Sequence, residues 1–421
     1  MGASSDRPAA AKGTAGSSTE DSFNLDRERR RFTGHADLVL AGGGVKGVAH
    51  VGAIRQLHSA GYTEHPRVAG TSVGAIVGAL LVATRSVDQL DELLASLKFR
   101  DMRDAGRDVG PVGHAKSLVF DRGRYEGNAF VRWLAPLLDG LTFGDLKAER
   151  QSWQQANGLE VDDESPLVIM ATDVTKGRLV QFPRDYVDYG LDPDEQLVVH
   201  AVRASMSVPL FFEPAKIASS SFVDGGVLAN FAVDVLDRAL PQDPDIVSSR
   251  HLQPRWPTFG ITLMENAEPG EIGGDLINGV TSLGFAQNLL LGPLSPFLNE
   301  LIGSLVIGQD ADRGSRWWMS ERTIRVDTTA VGIVQFDVTD KARADLVKSG
   351  KTAAKKFLKS TWPAHADEGF GYDGRAQFPL PGTVTFGGRG NPVKPTPSQP
   401  PTPAVPFQPP SSRHDREQED A

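Results

Sequence analysis

Ser72 lies in Gly70-Thr71-Ser72-Val73-Gly74, a G-x-S-x-G pattern. A predicted strand over Arg67–Gly70 precedes it and a strongly apolar predicted helix over Val73–Ala83 follows. Small flanking residues permit a strained turn that lifts a serine hydroxyl to a helix N-terminus, the geometry of an acyl-accepting nucleophile. One strand–helix unit earlier stands Gly42-Gly43-Gly44-Val45-Lys46-Gly47. Glycines there let the backbone turn tightly with several N–H groups aimed at one spot, which suits a phosphate or a developing oxyanion. The phosphate reading fails in its common forms. A Walker A loop needs Ser or Thr after Gly-Lys, where Gly47 stands. A dinucleotide fingerprint needs an acidic residue at the end of the second strand, where Gly70 and Thr71 stand.

A serine nucleophile needs a base. The histidines are poorly placed: His50 and His58 fall on the first predicted helix, in packing or surface roles. His114, His200 and His251 have no catalytic context, and His365 and His414 lie at or beyond the core's edge. A carboxylate is better placed. Val223-Asp224-Gly225-Gly226 would present Asp224 at a strand end, with Asn230 in the same loop. Taken alone, Asp-Gly-Gly is an ordinary β-turn, and its weight comes from sharing the chain with the other two motifs.

The elements that must position these residues alternate. Strands are predicted at Asp37–Ala41, Arg67–Gly70, Leu167–Thr172, Leu179–Phe182, Thr258–Leu263 and Thr323–Val326. Helices are predicted over Val45–Ala60, Val73–Ala83, from an Asp192 N-cap through Pro193 and Glu195 to Ser205, and over Lys341–Leu358. Such alternation implies a mostly parallel sheet with helices on both faces. Asp173 is read as a turn or strand-end residue.

Of 421 residues, 40% are hydrophobic and 23% charged, enough for a sizeable core. The net charge of −9 argues against a general nucleic-acid binder. With no cysteine, disulfide frameworks, thiolate zinc sites and cysteine nucleophiles are excluded, in keeping with a reducing compartment. The first 20 residues hold no apolar stretch of a signal peptide. The uncharged run Leu276–Asn299 is broken by Gly279, Gly284, Gly292, Pro293 and Pro296, which disfavours a bilayer span. Residues 1–33, rich in Ala, Ser, Gly and charge, read as a disordered tail ending in the basic cluster Arg27, Arg29, Arg30 and Arg31. Residues 366–421 read as a second tail, with nine prolines between Pro392 and Pro410. Trp317 and Trp318 suit either an interfacial anchor or core packing, and Gly273–Gly308 either a lid or a pair of packed helices.

The ordered trio of motifs resembles the patatin-like phospholipase family, from about Asp37 to Leu358. Softer features extend the likeness: Ala171-Thr172-Asp173, and Ala204-Ser205-Met206-Ser207-Val208-Pro209 with Phe212 and Pro214. The resemblance implies a three-layer α/β/α sandwich over residues 34–365. It implies a Ser72–Asp224 dyad without histidine and an oxyanion hole from Gly42, Gly43, Gly44, Lys46 and Gly47. Gly70, Gly74, Gly225 and Gly226 would be supporting motif positions. No metal or cofactor is implied. The expected substrate is a lipid or fatty-acyl ester, the expected setting cytoplasmic, with room for peripheral membrane contact and no nucleic acid. The same residues also fit a small-ester esterase, thioesterase or acyltransferase, or an inactive lipid-binding module.

Overall fold

Short apolar runs ending in glycine alternate with helical segments, and the chain stacks them into one mixed sheet. The computed structural model describes residues 31–97, 123–237, 256–264, 321–329 and 339–362. Eight strands form the main sheet: β1 (Asp37–Leu40), β2 (Val68–Thr71), β4 (Leu167–Asp173), β5 (Arg178–Phe182), β7 (Ala215–Ile217), β8 (Ser220–Asp224), β9 (Thr258–Met264) and β10 (Thr323–Asp327). Their order is β10-β9-β1-β2-β4-β8-β7, with β5 also paired to β4. The pairs from β10 through β4 are parallel, while β5, β7 and β8 join antiparallel. Strands β3 (Gly123–Tyr125) and β6 (Leu210–Phe212) form a separate parallel pair.

The period-two alternation of strands distributes side chains between two faces. Leu38, Leu40, Val68, Leu167, Ile169 and Ala171 join one large core with residues of α1 (Val48–Ser59), α2 (Val73–Thr84) and α8 (Asp340–Lys356). Val39, Ala69, Val168 and Met170 face the other way, against Ala229, Ala232, Val235 and Leu236. Helix α2 is apolar all round and buried along nearly its whole length, as a helix wedged inside a core must be. The other helices are α3 (Val87–Ser96), α4 (Asn128–Leu138), α5 (Phe143–Ala156), α6 (Val198–Ser205) and the single turn α7 (Gly226–Ala229).

Helices α1 and α8 cross with backbones almost touching. A Cβ on Gly52 would sit 1.9 Å from the Val347 carbonyl oxygen, and one on Gly350 would sit 2.0 Å from that of Ala49. Gly350→Ala therefore forces the helices apart. It is expected to cost about 1–3 kcal/mol, read as a Tm lowered by several degrees in a thermal melt, with any activity per folded molecule unchanged.

Two local expectations differ from the fold. The helix expected to start at Asp192 begins instead at Val198. Asp192 closes an Asx turn, its carboxylate accepting the Asp194 N–H at 3.0 Å. The carbonyls of Asp194 and Gln196 are taken by the Gly144 and Phe143 N–H groups opening α5, so this stretch cannot coil. Phe32, inside the expected N-terminal tail, is buried against Trp153 and Trp256. Arg31, the last of the basic cluster, donates to the Asn157 side-chain carbonyl at 3.3 Å, while residues 1–30 and 366–421, Trp317, Trp318, Gly273–Gly308, His114, His251, His365 and His414 lie outside the described residues. Among the described residues, no helix is long and apolar enough to cross a membrane.

Candidate active site

The register of β4 brings the two distant motifs together. Residues 169 and 170 of β4 pair with β2 on one side and β5 on the other, and residues 171–173 pair with β8 and again β5. Strands β2 and β8 therefore share one edge of β4 and meet end to end. Thr71 stands opposite Met170 and Asp224 opposite Ala171, adjacent positions. Ser72, the next residue after Thr71, arrives beside the Asp224 carboxylate.

Ser72 has φ 53° and ψ −122°, a conformation that L-residues avoid at a cost of about 1–3 kcal/mol. It occupies the N-cap of α2, where a serine ordinarily bonds its own helix, yet it makes no side-chain cap. Its hydroxyl instead lies near enough to the Asp224 carboxylate to hold that group's pKa down. The strained turn is accommodated because its flanks are glycine: a Cβ on Gly70 would meet the Gly74 carbonyl oxygen, and one on Gly74 that of Leu40, each at 2.2 Å.

Asp224 is 6% exposed. Burial pushes its carboxyl up to about 6, while the Ser72 hydroxyl and the Gly226 N–H (2.8 Å to Oδ1) hold it down. A carboxylate with that range is ionised at neutral pH and a far better proton acceptor than an exposed aspartate.

The Gly42–Gly47 loop divides its backbone between structure and availability. The Gly42 N–H donates to the Asn230 carbonyl at 3.3 Å and the Lys46 N–H to the Gly43 carbonyl at 3.2 Å. The Gly43 and Gly44 N–H groups have no acceptor among the described residues, so of the five loop positions expected in an oxyanion hole these two offer free donors. Gly47 serves close packing instead, since a Cβ there would lie 2.1 Å from Val73 Cγ2. Lys46 is buried within the same turn. Gly42 is the contact point of the three loops: its added Cβ would sit 3.1 Å from Ser72 Cβ and 2.3 Å from Asn230 Oδ1. Gly42→Ala is expected to displace this loop and lower ester hydrolysis by about 10²–10³-fold. Steady-state kinetics on a chromogenic ester checks this, the far-ultraviolet spectrum staying unchanged.

Gly225 and Gly226 let the Asp224 turn pass under β4 and Asn230; a Cβ on Gly225 would meet the Met170 carbonyl at 2.6 Å. Asp173, as expected of a strand-end residue, accepts from Thr175 and Lys176 backbone N–H groups and from the Tyr189 hydroxyl. No described histidine reaches Ser72. His50 is fully buried, its Nε2–H donating to the Ala41 carbonyl at 2.9 Å, and burial lowers it to about 4, so it is neutral and props the start of the glycine loop. His58 and His65 contact each other, and His200 is exposed.

Sequence reasoning named Ser205, Ser207 and Asn230 without giving them work. Ser205 Oγ accepts the Ser72 N–H at 2.9 Å, Ser207 O accepts the Asp224 N–H at 2.9 Å, and Asn230 ties down Gly42. The available signal was that Ser205 and Ser207 lie in a run shared with the resembled family, and that Asn230 follows the Asp-Gly-Gly turn.

A mixed sheet, parallel from β10 through β4 and flanked by helices, with a strained serine beside a buried carboxylate, defines an α/β protein. Residues 38–237 match the family model described as Patatin-like phospholipase, and this part of the chain is a domain of that family. An uncharacterized protein of Bacillus subtilis, YqhO, is 34% identical over 208 residues, covering 47% of this chain and 66% of that one. Lysophospholipase nte1 of Aspergillus fumigatus is 31% identical over 221 residues, 52% of this chain and 12% of that one. An uncharacterized NTE family protein of Mycobacterium tuberculosis is 28% identical over 195 residues, 45% of this chain and 42% of that one. The chain thus spans between an eighth and two thirds of these relatives' lengths. Among solved structures, VipD from Legionella pneumophila is similar with a TM-score of 0.45 and 18% identity, over 78% of this chain and 67% of that one.

Proposed function

We propose that this chain is a lipid acyl hydrolase that cleaves fatty-acyl ester bonds through Ser72 and Asp224. The observation that carries the reading is the placement of the strained Ser72 beside a buried aspartate whose carboxyl is raised to about 6. The Asp224 carboxylate takes the hydroxyl proton as Ser72 Oγ attacks the ester carbonyl carbon. The oxyanion so formed is held by the Gly43 and Gly44 N–H groups at the mouth of the glycine loop. Collapse breaks the ester bond, and the leaving alcohol takes the proton from Asp224. Water, deprotonated by the same carboxylate, then attacks the acyl-Ser72 ester and releases the fatty acid, regenerating both groups. No histidine is required, because burial supplies the basicity that an exposed carboxylate lacks.

The phospholipid direction is supported by family membership and by the name of the Aspergillus relative, a lysophospholipase. The test is a panel running from short-chain p-nitrophenyl esters to lysophosphatidylcholine and phosphatidylcholine vesicles. Turnover should favour long acyl chains. Hydrolysis confined to the short esters would establish a small-ester esterase in its place.

A further inference from the structure

The family-like run Ala204–Pro209 takes no part in the proton transfers above, yet its backbone and side chains touch both members of the dyad. Helix α6 packs over β4, β8 and α2, and ends at Ser205. Ser205 is fully buried. Its Oγ accepts the Ser72 N–H at 2.9 Å and donates to the Met170 carbonyl at 2.6 Å. Thr71 is the last β2 residue in register with β4, and its partner is Met170. The Ser205 hydroxyl therefore bridges the two strands where their ladder stops and the backbone swings into the strained turn. Two residues on, the Ser207 carbonyl accepts the Asp224 N–H at 2.9 Å. Ser207 is itself held, its Oγ donating to the Arg203 carbonyl at 2.8 Å and accepting from the Arg203 guanidinium. Arg203 also donates to the Glu213 carbonyl at 3.0 Å, fixing the chain that leads into β7 and β8.

We propose that Ser205 is a positioning residue for the nucleophile, and that the Ser205–Ser207 turn sets the distance between Ser72 and Asp224. The inference rests on reading Ser72 as the nucleophile. The bridge does two physical jobs. It satisfies a buried N–H that has left its ladder, which otherwise costs about 1–3 kcal/mol. It also holds φ at Ser72 in its unfavourable range, so that the hydroxyl points at Asp224 and not back at its own helix. Without the bridge the turn relaxes, and a nucleophile displaced by about 1 Å loses on the order of 10² in rate with little change in ground-state binding.

Full-length Ser205→Ala should therefore show kcat lowered about 30–100-fold, with KM within about twofold of wild type. The midpoint of its kcat/KM pH profile should stay at about 6, because Asp224 keeps its burial. Ser205→Thr, which keeps the hydroxyl, should recover most of kcat. Trp362→Phe, which removes a buried hydrogen bond to the Tyr62 hydroxyl far from the dyad, serves as a control for lost stability. It should keep wild-type kcat at a comparably lowered Tm. Amide hydrogen exchange gives a readout independent of turnover: Ser205→Ala should speed exchange in peptides spanning Ser72, and Trp362→Phe should not. An active, Ser72-dependent wild type whose Ser205→Ala form keeps both kcat and exchange overturns the bridge. A wild type without ester hydrolysis whose exchange responds as described leaves the bridge standing and overturns the proposed reaction.

Discussion

Replacing Ser72 with alanine should lower ester hydrolysis by about 10⁶-fold in kcat, the scale on which removal of a nucleophile acts in serine hydrolases. The chain should fold normally, because the hydroxyl caps no helix and the backbone strain is unchanged. Alanine at φ 53° is as unfavourable as serine, so Tm should move little. Ser72→Gly separates the two effects. Glycine tolerates that dihedral freely, so this variant should be just as inactive yet more stable than Ser72→Ala by about 1 kcal/mol. Kinetics and thermal melts of the three chains check this. A Ser72→Gly protein no more stable than Ser72→Ala would mean that the turn is not strained in solution.

The second large effect concerns Asp224. Asparagine keeps the shape and can still accept the Gly226 N–H, but it cannot take a proton. Asp224→Asn should lower kcat by about 10²–10⁴-fold, the range for loss of a general base. In the wild type, kcat/KM should rise with pH through about 6 and then level off, since only the ionised carboxylate accepts the Ser72 proton. That step should vanish in Asp224→Asn.

Stability should move the opposite way. The folded carboxyl, at about 6, lies above its ordinary 3.8, so between those values the folded protein holds a proton that the unfolded chain has lost. Stability therefore falls as pH rises through about 6, by roughly 3 kcal/mol in all. Asp224→Asn escapes that loss. It should melt higher than wild type at pH 7–8, and the difference should shrink as pH falls from about 6 toward 4. An aspartate as solvated as a surface one would give no such gap. Activity and stability are thus in opposition at one residue, as they are in the strained turn at Ser72.

Much of the centre of this protein was legible in its sequence, because local composition determines local structure there. Asp37–Leu40, Val68–Thr71 and Leu167–Asp173 are apolar runs that only a doubly covered strand can bury. The glycines around Ser72 and at Gly42–Gly44 signal backbone that must turn tightly or approach another chain closely. What was not legible depends on pairing between distant segments. Nothing in Ser220–Asp224 says that it runs antiparallel to β4 on the edge that β2 vacates, yet this pairing places Asp224 against Ser72. The stretch after Asp192 carries helix-start residues, and tertiary hydrogen bonds to the opening of α5 override them. Ser205 read only as the last residue of a predicted helix, because a side chain that bonds backbone leaves no periodic trace.

Treatment with a fluorophosphonate probe followed by peptide mass analysis tests the dyad most directly. The adduct should map to the peptide containing Ser72, disappear in Ser72→Ala, and form far more slowly in Asp224→Asn. Labelling that persists in Ser72→Ala, or that proceeds in Asp224→Asn at the wild-type rate, would contradict a nucleophile activated by that buried carboxylate.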